Sequence, residues 1–251
     1  SASGGGGGAG VGAYSSRPVA TSGAQYYPTD GWCSYVGDGA TWRPVIGGIA
    51  GTQPPSASGF TAINASGTSA LVDNNGALIA SSESLTSGVP DYVIWTKSLG
   101  AGNGIEAAVA NVPTIDGWNG TLMNYTFGGI CLRESSTGKV ACMLLFQQPA
   151  GGFKISCEYA ASPTSSRTII GGANDKYWSV FMPQIFLRLR SAGGSLNYEY
   201  SCGRGAWFLA ASISTTTVFT SAPDEYGLAV WPYNGANPSS GRVIVPHMEV
   251  V

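Results

Sequence analysis

No window of this chain carries a sustained apolar repeat of 3.6 residues, and that constrains the fold more than any single motif. Short runs of β-branched and aromatic residues take its place, each closed by Gly, Pro, Asn, Asp or Ser. Of 251 residues, 37 are Gly and 14 are Pro, so a fifth of the chain consists of turn formers. Charged residues make up 10%, which is too few for a coiled coil or helical bundle. The 12 basic residues are scattered and the net charge is -2, so no footprint for nucleic acid is present. With 43% hydrophobic and 11% aromatic residues, the chain has enough material for a large core. An all-β, loop-rich protein is expected.

Composition divides the chain into four parts. Residues 1–13 are a Gly-rich arm, expected to be flexible or to order only against a partner chain. Residues 14–48 alternate aromatic runs with turn signals and read as a short β segment too small to fold alone. Residues 49–59, with Pro54 and Pro55 adjacent, read as a Pro/Ser/Gly linker. Residues 60–251 hold thirteen strand-sized segments: 60–64, 70–72, 91–97, 105–112, 122–134, 139–147, 153–159, 167–170, 179–190, 196–201, 206–213, 226–231 and 242–250. Two stacked antiparallel sheets accommodate them, with one stray helical turn expected around Asp224, Glu225 and Tyr226. In Ile185–Arg190 the residues Ile185, Leu187 and Leu189 share one face, and Phe186, Arg188 and Arg190 the other. Each sheet is therefore expected to turn a polar face to solvent. No stretch is apolar enough to span a membrane, and the first residues have neither the basic nor the apolar region of a secretory leader, so no leader is expected.

The turn at residues 135–138 yields a register. A four-residue loop pairs Glu134 with Lys139, which sets Cys131 directly opposite Cys142 and makes them a candidate disulfide. Five cysteines are an odd number. Either all are reduced and buried, or bonds form after release from the cell and the fifth, with Cys33 the first candidate, links two chains.

Two resemblances rest on quoted residues. The order of Arg17-Pro18-Val19-Ala20, Tyr26-Tyr27, Thr29-Asp30, Gly37-Asp38-Gly39 and Trp42 resembles a short segment of bacteriophage tail fibres and other virion surface proteins. That resemblance covers about 35 residues and implies a region for attachment or assembly. Phe186-Leu187-Arg188-Leu189-Arg190, Leu196-Asn197-Tyr198-Glu199-Tyr200-Ser201 and Trp207 resemble concanavalin A-like lectin/glucanase jelly rolls. So do the hairpin from Gly128 to Lys139 and the late strand Tyr226-Gly227-Leu228-Ala229-Val230. Together they span most of residues 60–251 and imply a jelly-roll sandwich. The chain departs from that pattern at Cys202-Gly203-Arg204-Gly205, where relatives often have Asp-Gly, which removes support for a calcium contact there.

Few residues could carry catalysis. Glycoside hydrolysis needs two carboxylates in one cleft, and the Glu-x-Asp-x-x-Glu spacing of the family's retaining glucanases is absent. Glu134, Glu158 and Glu199 are the carboxylates on predicted strands, expected in surface ion pairs such as Glu134 with Lys139. His247, the single histidine, is expected to be structural, on the end of an edge strand. No Cys/His spacing supports a metal, so no metal or other cofactor is expected, with a calcium ion held by loop carbonyls and Asp side chains as the alternative. Aromatic residues in Gly/Asn loops are the remaining hint: Trp118 with Asn119, and Trp231 with Tyr233 and Asn234, either cover the ends of the sandwich or form a candidate glycan platform.

These readings lead to a virion surface protein that is not an enzyme, made in the host cytoplasm and displayed on the particle. A fibre-type adhesin that contacts host glycan is the first expectation. A capsid decoration or cement protein is the alternative, and a glycan-processing enzyme a further one. Expected partners are other virion proteins through the N-terminal region, host glycan, and further copies in a homotrimer. Nucleic acid binding and membrane insertion are not expected.

Overall fold

The computed structural model describes residues 9–28, 34–37, 39–40, 42–46, 49–50, 55–65, 69–74, 76–83, 92–110, 126–147, 153–170, 177–178, 185–202, 206–232 and 240–251. Three sheets are built from them. A five-stranded N-terminal sheet runs in chain order through β1 (Ala9–Gly12), β2 (Gln25–Pro28), β3 (Ser34–Gly37), β4 (Trp42–Ile46) and β5 (Ile49–Ala50). Ala20, Ala24, Tyr26, Tyr35 and Trp42 form its small core. Residues 9–12 are not a free arm, because β1 pairs in parallel with β2. A side chain at Gly10 would stand 2.9 Å from the Tyr26 ring, and one at Gly12 2.9 Å from its hydroxyl, which itself donates to the Ala13 carbonyl. The glycines thus permit close approach within the chain. The start of the expected linker is likewise β5, paired with β4.

The two large sheets form a sandwich. One has the order β18 (Phe208–Ser214), β17 (Ser195–Ser201), β16 (Ile185–Ala192), β10 (Gly104–Ala110), β20 (Ser240–Val250), β8 (Ala77–Glu83), β7 (Ala70–Asn74). The other has the order β14 (Arg167–Ile169), β13 (Phe153–Ala160), β12 (Val140–Gln147), β11 (Thr126–Arg133), β19 (Glu225–Pro232), β9 (Val93–Ser98), β6 (Thr61–Ile63), with β15 (Tyr177–Trp178) beside β13. Neighbours within each are antiparallel. The fold is a jelly-roll sandwich of two large antiparallel sheets.

Alternation decides which residues meet in the middle. Ile185, Leu187, Leu189, Leu196 and Tyr198 from one sheet face Ile130, Leu132, Met143, Ile155 and Leu228 from the other, in one continuous core. Each such side chain, fully buried, contributes about 1.5–3 kcal/mol. β8 has no counterpart among the expected strands, since its sequence Ala-Leu-Ile-Ala-Ser-Ser-Glu holds a single β-branched residue and no aromatic. The helical turn α1 (Thr215–Val218) lies after β18, and residues 224–226 form none. Buried Val218 and Phe219 pin it there, although three consecutive threonines are poor helix formers. Glu225 instead opens β19 and pairs with Arg133 at 2.6 Å.

Candidate functional site

The outer faces of the two large sheets differ. On the eight-stranded sheet the face turned from the core is itself apolar and covered: Ile94, Cys131, Cys142, Leu144, Ala229 and Trp231 cluster there with Tyr92. The expected solvent-facing polar surface is absent from this patch. Glu158, also on this face, has no exposure at all. It accepts hydrogen bonds from the Tyr92 and Ser156 hydroxyls and from Arg167 Nη1 at 2.8 Å. The Arg167 guanidinium lies over the Trp231 ring, 3.5 Å from its centroid. Burial, and then the adjacent Glu158 charge, holds the Tyr92 phenol well above its ordinary pKa, so Tyr92 remains a donor to that carboxylate.

This arrangement corrects three expectations. Trp231 is only 3% exposed, so it is not an open platform; its strand, β19, lies inside the sheet between β11 and β9. Cys131 and Cys142 do stand opposite each other, but both are free thiols. The register sets their backbones side by side, while the side chains pack as small hydrophobes in the apolar cluster. Burial raises the pKa of both, which leaves them inert. Glu134 is buried and not in a surface ion pair: it accepts the backbone amides of Thr220 at 2.8 Å and Ser221 at 3.0 Å, while Lys139 donates to the Thr220 hydroxyl and acts on the carboxylate through its charge. Trp118, Asn119, Tyr233, Asn234 and Cys33 lie outside the described residues.

The outer face of the seven-stranded sheet carries the organised polar groups. Pairing aligns Glu199 of β17, Arg188 of β16, Glu106 of β10 and Glu249 of β20 in one row across four strands. The Gly193–Gly194 turn, with both φ values positive (59° and 79°), joins β16 to β17 without a clash and sets Arg188 opposite Glu199. Arg188 Nε donates to Glu199 at 2.8 Å and Arg190 Nε at 2.9 Å. Trp207 lies under the Arg188 guanidinium, 4.0 Å from ring centroid to carbon, and packs against Ala108 and Phe186. His247 is not on an edge, since β20 runs between β10 and β8. Its Nε2 is 3.7 Å from Glu249. Among the described residues this is the face where carboxylates, guanidiniums and a ring share one partly exposed surface.

Burial alone would raise the Glu199 pKa, but the hydrogen bonds from Arg188 and Arg190 outweigh it and hold the carboxyl below its ordinary value. The unfolded chain therefore binds this proton more readily than the folded one, and stability rises with pH there. The contribution is present above the ordinary carboxylate pKa and is lost as pH falls through the depressed one. Thermal melts across that range should show the parent losing its advantage over Glu199→Gln on acidification. A constant gap between the two would assign Glu199 no such role.

No family model and no curated protein sequence matches the chain. Solved structures similar to it include a GH43 protein from Bacillus licheniformis, at 11% identity and TM-score 0.46, with 73% of this chain and 35% of that one covered. The chain thus spans about a third of the length of that protein. An alginate lyase from Klebsiella pneumoniae is similar at 10% identity and TM-score 0.44, covering 72% of this chain and 83% of that one. The carbohydrate binding module CBM66 from Bacillus subtilis is similar at 13% identity and TM-score 0.39, covering 76% and 95%. At such identities the likeness concerns the fold. A lyase and a GH43 protein share this fold, so the expectation that the chain is not an enzyme is not kept. No helix of the described residues is long and apolar enough to cross a membrane.

Proposed function

We propose that the chain is a virion surface component whose jelly roll contacts host glycan, with the N-terminal sheet as the part that joins other virion proteins. The observation that carries the glycan reading is the seven-stranded sheet's outer face, where Trp207, Arg188, Arg190 and Glu199 are held together and partly open. A shallow sugar site needs an aromatic ring beside fixed donors and acceptors for hydroxyl groups, and this face supplies all three. The other large face has its ring and its carboxylate buried. The virion part of the reading rests on the resemblance of residues 14–48, and a homotrimer is the assembly that goes with it.

A glycan array probed with the full chain tests the reading. Trp207→Ala should bind the best glycan at least tenfold more weakly while circular dichroism shows the chain still folded. Absence of binding to every glycan would overturn the adhesin role. Imaging of the particle separates the remaining alternative: density at a fibre tip supports an adhesin, and density knitted between shell subunits supports a cement protein instead.

A further inference from the structure

We infer that Glu106, His247 and Glu249 form a binding site for a divalent transition-metal ion of the zinc or manganese class. Two adjacent strands build it. His247 and Glu249 are two residues apart on β20 and so share a face, and the register of β10 with β20 sets Glu106 opposite Glu249 and Ala108 opposite His247. Ala108 packs against Phe186, whose ring centroid lies 6.4 Å from that of the imidazole. One ligand atom from each of the three residues lies within 4.8 Å of the other two. Donors bound to one ion at about 2.1 Å stand about 3.4 Å apart at tetrahedral angles. The His247–Glu249 separation of 3.7 Å is already close to that spacing, and side-chain rotation of at most about 1.4 Å closes the rest.

The surroundings favour a cation. Like charges directly opposite each other across a sheet are destabilising, yet Glu106 and Glu249 occupy such a pair, and Glu106 is only 5% exposed. Arg188 stands on the other side of Glu106, with Nη1 at 4.0 Å, and turns its Nε toward Glu199. The chain's one histidine, 1% exposed, completes the trio from the same face. One imidazole with two carboxylates and no sulfur suits zinc or manganese better than calcium, which takes oxygen donors. Sequence spacing gave no sign of the site because Glu106 lies far from His247 in the chain, and only the long-range pairing joins them.

The test is calorimetric titration of the full chain, stripped with chelator, with Zn²⁺. The parent should take up one equivalent. Glu249→Gln, at a half-buried position that tolerates change, and His247→Gln should each weaken binding at least tenfold, and Cys202→Ser should leave it unchanged. No saturable uptake by the parent would overturn the site and leave the trio as an ion-pair cluster. Uptake unchanged in Glu249→Gln, or lost in Cys202→Ser, would also overturn it by placing the metal elsewhere. The assay contains no glycan, so its outcome is separate from the glycan reading.

Discussion

Glu158→Ala should lower the stability of the chain by about 3–5 kcal/mol, the usual cost of removing one member of a buried ion pair. The carboxylate is fully buried and is the shared acceptor for the Tyr92 hydroxyl, the Ser156 hydroxyl and Arg167. Without it, two hydroxyls and a half-buried guanidinium lose a partner in a place that water reaches poorly. For a domain of this size each kcal/mol moves Tm by about 2–4 °C, so a fall of roughly 10 °C is expected in a thermal melt. Glu158→Gln should lie between the two, because the amide keeps an acceptor for a hydroxyl but removes the charge facing Arg167. If the Ala variant melts within a degree of the parent, the carboxylate does not organise this patch.

Trp231→Ala should cost about 3–5 kcal/mol, as for other large-to-small changes at a buried aromatic. An exposed sugar platform would lose no more than about 1 kcal/mol on the same change. Urea unfolding separates the two sharply, and a small cost would return Trp231 to the surface. Because the Arg167 guanidinium covers this ring and also holds Glu158, the two losses should not add. In a double-mutant cycle, the cost of the combined change should fall short of the sum of the single ones. Arg167→Lys should itself weaken the patch, since an ammonium has no planar group to lie on the indole.

Much of the fold was legible because β structure is written in local signals. The residues 135–138 loop set the β11–β12 register, and the structure pairs Cys131 with Cys142 as that loop length requires. Alternation in β16 placed Leu187 and Leu189 together in the core and Arg188 and Arg190 together on the far side. The candidate site was legible only in pieces. Glu158 and Glu199 were singled out as strand carboxylates, but their pairing with Arg167 and Arg188 appears only in the structure. Arg167, Tyr92, Glu106 and Glu249 carried no signal, because their partners are distant in the chain and meet only through sheet order.

Local patterning was enough for the class of the protein: punctuated runs without helical period favour sheets, and period-two alternation assigns each side chain to one of two faces. It determined nothing about what covers a face. Lys154, Ser156 and Glu158 alternate with apolar residues in β13 as a solvent-facing strand would, yet all three are buried. In the same way glycine content marked residues 9–12 as costly to order, and only the placement of Tyr26 shows them docked as β1. Tertiary structure decided both points, because burial depends on which distant segment arrives above a residue, and chain-local periodicity carries no record of that.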